Sequence, residues 1–380
     1  MPFRERSILD QREEFCRLAS APGANVSELC RRFGVSRDRG YVWLGRYREA
    51  GREGLVERSR RPHSSPSRSR PETEAKVLAV RAEHPAWGGR KIERVLKNTG
   101  EAKPPAASTI TEILRRHGKL EGPFAGEARA FARFEQPAPN ELWQMDFKGH
   151  FQLGSGRCHP LTVIDDHSRY ALALEACANE QTETVQARLS RVFRRYGLPR
   201  RILCDNGSPW GTAGSRERHT LLSVWLMDLG VGVAHGRPFH PQTQGKDERF
   251  HRTLKLEVLK RTDLTDIAHA QKAFDAWRQI YNAHRPHQAL NMDVPADRYA
   301  ISPRPMPNAA KPPEYASDAC VRKVQKGGHL SFKGRDISCS KAFVGKSVAL
   351  HATETDGVFD LYYRRHHLSQ VDLREMIVQP

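Results

Sequence analysis

Three acidic residues lie where regular elements meet turns, the position from which a carboxylate can face a substrate. Asp146 ends the strand-like run in WQMDFKG, Asp205 ends the run in RILCDNG, and Glu248 lies in the first turns of a helix that opens at QGKDERFHRTLK. Carboxylates are preferred ligands of Mg²⁺, which keeps positions for water and phosphate oxygens. We therefore expect a site that holds metal ions and acts on phosphodiesters. Two ions would serve best, one activating the attacking oxygen and the other stabilising the leaving oxygen.

Strands alternate with helices around these residues. Apolar runs bounded by turn residues predict strands, and longer amphipathic segments predict helices. The predicted strands are Leu142 to Phe147, Pro160 to Ile164, Tyr170 to Leu174 and Arg201 to Cys204; the predicted helices are Thr182 to Tyr196, Glu217 to Leu229, Gly245 to Lys260 and Leu264 to His284. This mixture is typical of an α/β core.

The predicted helix that carries Glu248 also carries cations. At about 100° per residue, Arg252 and Lys255 fall on the same face as Glu248, whereas Asp247 is turned away from it. Glu248 can then reach metal ions while Arg252 and Lys255 meet the phosphates of DNA. The apolar stripe that would pack on the sheet is formed by Phe250, Leu254 and Leu259.

Other residues near the predicted site have simpler interpretations. Asp165 and Asp166 fall in a predicted hairpin turn, where aspartate commonly bonds to the backbone. His240 and His251 could touch DNA, but a lone histidine is more often a hydrogen-bonded structural residue. Trp143 and Trp210 are expected in the core or at its rim, although Trp210 could also stack on an unpaired base.

The charge of the chain indicates a polyanionic partner. Lysine and arginine number 62 and the acidic residues 44, so the formal net charge is +18. Residues 1–120 hold 26 basic and 15 acidic residues, a balance of +11. Double-stranded DNA is the expected partner. The seven cysteines form no Cys-x-x-Cys pair, and no run of 18 apolar residues occurs; we expect a cytoplasmic, nucleoid-associated protein without a zinc knuckle or a disulfide framework.

The segment from Val26 to Tyr47 predicts a helix-turn-helix. Ser27 can cap a first helix, Gly34 ends it, and Ser36 can cap a second. Arg37 and Arg39 then lie on the first turn of the second helix, the part that meets base edges in the major groove. An amphipathic helical hairpin with solvated arginines is the alternative. Gly40 is unfavourable inside that helix, by about 1 kcal/mol relative to alanine.

A second helical unit follows a basic segment rich in Pro, Ser and Arg. Apolar spacing over Glu72 to Gly118, with a capped helix opening at Ser108-Thr109, fits a second helix-turn-helix or a plain helical bundle. At the other end of the chain, short strand-like runs predict a small β-barrel. These runs are His329 to Phe332, Ser347 to Leu350 and Val358 to Tyr363.

Five segments in order resemble the core of bacterial insertion-sequence DDE transposases with a retroviral-integrase-like catalytic core. They are WQMDFKG, VIDDHSRY, DNGSPW, HPQTQGKDERFHRTLK and YNAHRPHQAL, and the resemblance extends upstream through GLVERSRRPHSSP and HPAWGGRKI. The resemblance implies a ribonuclease-H-like fold, a DDE metal site and strand transfer. It makes Asp146, Asp205 and Glu248 the catalytic and metal-binding triad, and it matches Lys255 to a basic residue that faces the element's DNA.

The sequence departs from the family pattern at two points. Forty-two residues separate Asp205 from Glu248, more than the pattern has, so we expect an insertion within Pro209 to His219. Asp247 stands where the family usually has an apolar residue or asparagine.

The predicted organisation is multidomain: all-α helix-turn-helix units, an α/β ribonuclease-H-like core and a small β-barrel. The predicted boundaries are 1–60 for the first helix-turn-helix, 61–71 for a basic linker, 72–119 for the second helix-turn-helix, 120–139 for a linker, 140–301 for the catalytic core, 302–318 for a linker and 319–380 for the barrel.

The predicted function is DNA transposition. The enzyme would bind the terminal inverted repeats of its insertion sequence and, with two Mg²⁺ ions or Mn²⁺ in their place, cleave the 3′ ends and join them to target DNA. Because both ends must be held together, a homodimer or larger homo-oligomer is expected. The alternatives are a site-specific DNA-binding regulator with an inactive core and a structure-specific nuclease on the same fold.

Overall fold

The computed structural model describes residues 7–58, 68–120, 135–211, 219–235 and 245–374. The chain divides into two compact units, Met1–Arg68 and Ser69–Pro380. None of the helices in the described ranges is long and apolar enough to cross a membrane. Most of the predicted 61–71 and 120–139 linkers, and most of the expected insertion, lie outside the described residues.

The N-terminal unit is a three-helix fold. Its helices are α1 (Ile8–Ala19), α2 (Val26–Arg32) and α3 (Arg37–Ala50). The small core contains Phe15, Cys16, Cys30, Leu44 and Leu55. Leu29, Phe33 and Val35 are partly buried against it.

The N-cap residue predicted for α3 is correct, whereas the one predicted for α2 is not. Ser36 caps α3 as expected, accepting a hydrogen bond from the backbone N–H of Arg39 at 3.3 Å. The prediction that Ser27 caps α2 is wrong. Asn25 is the cap, and its side-chain oxygen accepts from the N–H groups of Ser27 and Glu28 at 3.1 and 3.2 Å. The amide oxygen of Asn25 satisfies two N–H groups that the start of a helix otherwise leaves unpaired.

Gly40 has a packing role in α3. A Cβ at this position would lie 2.6 Å from Sγ of Cys30 in α2 and 3.0 Å from the ring of Phe15 in α1. Glycine therefore allows the three helices to approach closely, which accounts for a residue that is unfavourable in a helix interior.

A second three-helix fold begins the larger unit. Its helices are α4 (Pro71–Glu83), α5 (Gly89–Asn98) and α6 (Ala107–Arg116). Their apolar faces share a core that includes Val77, Trp87, Ile92, Ile110 and Leu114. The predicted cap at Ser108-Thr109 is wrong, because both residues lie inside α6 and Ala106 occupies the cap position without a side-chain hydrogen bond.

A six-stranded mixed sheet forms the centre of the larger unit. Its strands are β1 (Leu142–Phe147), β2 (Phe151–Gln152), β3 (Arg157–Asp165), β4 (Ala171–Cys177), β5 (Arg201–Cys204) and β6 (Gly232–His235). The order is β2-β3-β1-β5-β6, with β4 also paired to β3. Strand β1 is antiparallel to β3 and parallel to β5, and β5 is parallel to β6.

Helices cover both faces of this sheet. One face packs against α7 (Thr182–Tyr196) and α8 (Leu221–Asp228). The other packs against α9 (Gly245–Leu254) and α10 (Ile267–Ala283). The predicted helix over Gly245 to Lys260 is α-helical only to Leu254 and continues as a π-helical turn, Lys255–Leu259. The sequence prediction missed β6, which is short and begins with glycine.

The C-terminal domain is rich in strands. Its strands are β7 (Cys320–Lys323), β8 (His329–Phe332), β9 (Arg335–Ser338), β10 (Ser347–Ala352), β11 (Val358–Tyr363) and β12 (His366–Asp372). They form a four-stranded antiparallel sheet, β12-β11-β10-β7, and a separate β8-β9 hairpin. The small β-domain was predicted, but within the described residues its strands do not close into the expected barrel.

Helix α8 covers the apolar face of the open sheet in the C-terminal domain. Val224 and Met227 belong to the same apolar cluster as Phe343, Leu361 and other residues of the C-terminal domain. Asp228, at the end of α8, accepts hydrogen bonds from Lys346 Nζ at 2.6 Å, from Arg364 Nη2 at 3.1 Å and from the hydroxyl of Tyr363. The apolar face of the domain is thus buried against the core, so closure of the sheet is not needed to remove it from water.

Candidate catalytic site

Two of the predicted catalytic carboxylates lie on neighbouring strands. In the parallel pair β1 and β5, Gln144 is opposite Leu203. Continuing that register by two residues brings Asp146 level with Asp205, just beyond the end of β5. Asp205 also accepts a hydrogen bond from the backbone N–H of Gly207 at 3.1 Å. Both side chains therefore project at the carboxyl edge of the parallel strands.

The charge of Asp205 affects the ionisation of Asp146. Burial, together with the charge of Asp205, raises the pKa of Asp146 to about 7. Burial also raises the pKa of Asp205. Within the described part of the chain, no lysine or arginine lies at ion-pair distance from either carboxylate, and His251 lies 3.9 Å from Asp146. At longer range, the charge of Lys148 lowers the pKa of Asp146 and that of His235 lowers the pKa of Asp205. Two partly buried carboxylates with no described lysine or arginine at ion-pair distance form a donor set that suits a hard divalent cation.

His251 and Thr162 form a hydrogen-bonded chain to the backbone of Asp146. The Thr162 hydroxyl donates to the carbonyl oxygen of Asp146 at 2.9 Å, and its oxygen lies 2.8 Å from Nε2 of His251. A hydroxyl has one hydrogen, so His251 Nε2 must be the donor in the second bond. The other ring nitrogen, Nδ1, then carries a lone pair, and it faces Oδ2 of Asp146. Burial lowers the pKa of His251 to about 4, which keeps the ring neutral at pH 7.

Glu180 is an acidic neighbour of the site that the sequence analysis missed. It follows β4 just before α7, and His159 Nδ1 lies 2.8 Å from its Oε1. Its charge contributes to the raised pKa of both Asp146 and Asp205. The signal was present, because Glu180 lies at a strand-to-helix junction as Asp205 lies at a strand end.

Glu248 and Asp247 occupy different sides of α9. Glu248 is exposed, whereas Asp247 is 1% exposed. Burial raises the pKa of Asp247 well above its usual value, and the charge of Asp146 adds to the effect. Neither carboxylate oxygen of Asp247 has a hydrogen-bond partner within the described ranges. Asp247 is thus directed into the protein, where its neighbours Phe250 and Leu254 are also buried.

The three predicted ligands do not form one closed cluster. The charge of Asp205 acts on Asp146, but Glu248 is exposed to solvent. Across the five described ranges, no three His, Cys, Asp or Glu side chains lie where they could hold one metal ion together. Arg252 and Lys255 are exposed, as Glu248 is, and Lys255 begins the π-helical turn.

Asp165 and Asp166 have the structural role predicted for them. Asp165 accepts from the backbone N–H groups of Asn140 and Ser168, both at 2.7 Å. Asp166 accepts from the backbone N–H of Gln136 at 2.9 Å and pairs with Lys246. Both carboxylates are fully buried, so they fix the turn after β3 and do not face a substrate.

The aromatic residues near the site belong to the core. Trp143 is fully buried and donates from its indole N–H to Asn140 at 3.1 Å. Trp210 is 2% exposed and stacks on Phe147 with a centroid distance of 5.5 Å. The alternative in which Trp210 stacks on an unpaired base is wrong, because its ring is covered by protein. His240 lies outside the described residues.

In the N-terminal unit, Arg37 and Arg39 are exposed on the first turn of α3. Asp38 is exposed between them. The side chains are available to solvent at the helix end that the sequence analysis assigned to base contacts.

Family models match all parts of this architecture. Two models described as an integrase core domain match residues 136–241 and 229–295. A helix-turn-helix domain matches 11–63, and a homeodomain-like domain matches 39–114. The C-terminal domain of the IS481 transposase family matches 319–379. The central sheet with its helices is therefore an integrase-type core, joined to helix-turn-helix units and a transposase C-terminal domain.

Curated relatives give the same result. The chain is 30% identical over 160 residues to an uncharacterized 31.7 kDa protein of insertion element IS407 from Burkholderia multivorans, which covers 42% of this chain and 55% of that protein. It is 24% identical over 217 residues to an uncharacterized 39.2 kDa protein of insertion element IS476 from Xanthomonas euvesicatoria, 57% of each. The chain thus spans little more than half the length of these relatives. The chain is thus similar to proteins of bacterial insertion elements, and its integrase-core and IS481 transposase C-terminal matches confirm the resemblance seen in its motifs.

Among solved structures, the chain is similar to a chain of a simian T-cell lymphotropic virus intasome in complex with the PP2A regulatory subunit B56 gamma. The TM-score is 0.39 at 14% identity, covering 78% of this chain and 96% of that one.

Proposed function

We propose that the protein is a DNA transposase that binds the terminal inverted repeats of its insertion sequence and catalyses metal-dependent cleavage and strand transfer. The observation that carries this proposal is the placement of Asp146 and Asp205 on neighbouring strands without a lysine or arginine partner among the described residues. Bound metal cations would relieve the electrostatic repulsion between these two carboxylates.

Asp146, Asp205 and Glu248 would hold the metal. Two Mg²⁺ ions, for which Mn²⁺ would substitute, would supply activation of the attacking oxygen and stabilisation of the leaving oxygen. Glu248 is exposed at the start of α9, so it would complete the set when α9 or its side chain turns toward the strands. The neutral ring of His251 would fix the backbone of Asp146 through Thr162.

The substrate DNA would contact cations in both units. Arg37 and Arg39 would read base edges in the element ends, where a bidentate arginine contact is specific for guanine. Arg252 on α9 and Lys255 at the start of the π-helical turn, both exposed, would bind phosphates next to the cut. A water would first release a 3′ hydroxyl at each end, and that hydroxyl would then attack target DNA. Holding two ends together would require a homodimer or a larger homo-oligomer.

The deciding experiment is to incubate the protein with Mg²⁺ and DNA that carries the inverted repeats flanking its own gene, together with a plasmid target. Products in which the repeat ends are covalently joined to the target support the proposal. Binding of the repeats without metal-dependent cutting would instead identify a regulator with an inactive core. The observation that favours this alternative is the exposed position of Glu248, apart from Asp146 and Asp205. Equal cutting of random DNA would identify a nuclease.

A further inference from the structure

Four arginines converge around the turn that joins α8 to β6, at the amino end of the central sheet. They come from three separate parts of the chain: Arg200 and Arg201 at the start of β5, Arg304 after the core, and Arg365 between β11 and β12. We call this group the arginine patch. It is remote from the predicted catalytic residues, and neither the motifs nor the family resemblance drew attention to it.

The backbone of Gly230 holds two members of the patch in place. Arg304 donates from Nη2 to the carbonyl oxygen of Gly230 at 2.7 Å and from Nη1 to that of Pro199 at 2.6 Å. Arg365 donates to the same Gly230 oxygen. Gly230 has φ of +70°, and a Cβ there would lie 3.2 Å from Nη2 of Arg304. The turn therefore both needs glycine and leaves room for two guanidinium groups to approach one oxygen.

The patch concentrates positive charge that the protein does not neutralise. Burial lowers the pKa of Arg304, and the charges of Arg365 and Arg200 lower it further. Across the described ranges, Glu141 is the one carboxylate at ion-pair distance from any of the four, 3.2 Å from Arg200. Clustering like charges opposes folding, so a polyanion that binds here would offset a cost already present in the free protein.

The exposed guanidinium groups suit phosphates. Arg200, Arg201 and Arg365 are exposed, the side chain of Arg200 by 70%, while Arg304 is partly buried beneath them. Guanidinium groups bind phosphate oxygens through paired N–H donors. An open surface built from several arginines matches a repeating row of phosphates better than one small anion, which would need an enclosing pocket.

The position of the patch separates it from the catalytic edge. In the parallel register Arg201 is opposite Leu142, at the amino end of both strands, whereas Asp146 and Asp205 lie at the carboxyl end. The four residue steps from Arg201 to Asp205 span about 13 Å along the chain. Because the two ends of a sheet face opposite directions, a straight duplex seated on the catalytic carboxylates cannot also lie on the patch.

We infer that the arginine patch is a second DNA-contact surface, which binds the phosphate backbone of a duplex separate from the one at the catalytic edge. The choice of DNA as the polyanion rests on the proposed function. The patch itself rests on the geometry and charge around Gly230.

The test uses the full chain and a random-sequence duplex, with Arg201→Gln/Arg365→Gln compared with the wild type. Arg304 is kept because its bonds support the turn. Each lost phosphate contact should reduce the dependence of log binding constant on log salt by about 0.9, so the double variant should lose about 1.8. Arg188→Gln/Arg191→Gln is the matched control, since it also removes two charges but from residues paired with Glu175. Its slope should stay near that of the wild type.

A second measurement separates this surface from the catalytic one. The protein is first saturated with a short duplex bearing the element end, and a labelled second duplex is then added. We expect the wild type and the control to bind it and the double variant to bind it at least about tenfold more weakly, which corresponds to about 1.4 kcal/mol. Cleavage of the short duplex should be unchanged in all three. Should the double variant unfold early in a melting experiment, Arg365→Gln alone, on an exposed turn, should show half of the change in slope.

If the double variant has the same salt dependence and the same affinity for the second duplex as the wild type, the inference is overturned and the patch is only a solvated surface. Failure of the wild type to bind random duplex would overturn it too. The proposed function fails differently, through absence of metal-dependent cutting or joining of element ends, and the salt measurement does not depend on that chemistry.

Discussion

The imidazole of His251 lies beside the carboxylate of Asp146, with Nδ1 3.9 Å from Oδ2. The opposite nitrogen, Nε2, donates to Thr162, which in turn donates to the backbone of Asp146. The lone pair of Nδ1 therefore faces the carboxylate, and a water hydrogen or a cation is needed between them when Asp146 is ionised. His251 is thus a positioning residue for the first predicted metal ligand.

Replacing His251 should affect cleavage more than binding. His251→Ala removes the donor to Thr162 and leaves a gap beside Asp146, so we expect unfolding to become easier by about 1 to 3 kcal/mol. Single-turnover cleavage should slow, while binding of element ends stays unchanged. His251→Asn keeps an N–H donor and should retain more activity. Equal rates for the alanine and asparagine variants would argue against a positioning role.

The raised pKa of Asp146 predicts a pH dependence of stability in metal-free protein. A carboxyl with a pKa near 7 when folded and near 4 when unfolded binds more protons in the folded state across that window. Stability should therefore fall as pH rises from about 4 to about 7. Melting curves of the wild type and Asp146→Asn, at constant ionic strength, should converge at low pH and diverge at high pH in favour of the variant. Adding Mg²⁺ should stabilise the wild type more at pH 8 than at pH 5.5. Parallel curves for the two proteins would contradict the assignment.

Asp205→Asn should separate catalysis from DNA binding. An amide is a poor ligand for Mg²⁺, so cleavage and joining should fall by about 100-fold or more. Element-end binding through the N-terminal helices should remain. Because the substitution also removes a charge that opposes the ionisation of Asp146, the folded protein should be at least as stable as the wild type. Strand transfer at the wild-type rate would remove Asp205 from the site.

Asp247 and Glu248 should differ sharply despite being adjacent. Glu248→Gln should abolish catalysis, whereas Asp247→Asn should leave most of it, because Asp247 is buried and directed away from solvent. Asp247→Val should also raise stability by about 1 to 3 kcal/mol, since it removes a buried polar group that has no partner among the described residues. Chemical denaturation and end cleavage together check the pair. The reverse ranking would mean that Asp247 is the third ligand.

The arginines at the start of α3 should control specificity. Replacing Arg37 or Arg39 with alanine should cost about 1 to 3 kcal/mol of discrimination between the true repeats and scrambled ends if the arginine pairs with a guanine. In the full chain, Lys255→Ala should weaken binding next to the cut but leave the discrimination between true and scrambled repeats unchanged. Competition assays at fixed salt measure both effects. Equal affinity of residues 1–119 for true and scrambled ends would place sequence recognition elsewhere.

Local sequence patterns were sufficient for the strands and helices that carry the two clustered carboxylates. The predicted bounds of β1, β5 and α7 agree with the structure, because each has an apolar run or amphipathic repeat with clear turn residues at its ends. Strand β6 has four partly buried residues, beginning with glycine. Its formation depends on pairing with β5, a long-range contact that a local pattern does not contain.

The same limit applies within the site. His251 reaches Asp146 through Thr162, and His251 and Thr162 are 89 positions apart in the chain. The charge of Glu180 raises the pKa of Asp146 and of Asp205, which are both distant from it in sequence. Helical periodicity correctly placed Phe250 and Leu254 on the buried face of α9, but it could not show that Glu248 stays apart from the other carboxylates. In the C-terminal domain, strand patterns predicted the β-structure, whereas the cover supplied by α8 was not visible in the sequence.

The shared use of α8 has an evolutionary consequence. This helix closes one face of the central sheet, and its outer side carries Val224, Met227 and Asp228 against the C-terminal domain. A gene copy interrupted near codon 318 would encode a core whose apolar helix is uncovered and whose Asp228 has lost the donors that hold it. We expect such a decayed copy to yield an aggregation-prone polypeptide. Such a polypeptide would not act as a soluble competitor that occupies the element ends and inhibits transposition by intact copies. Exchange of the C-terminal domain between related proteins would also require matching changes on α8.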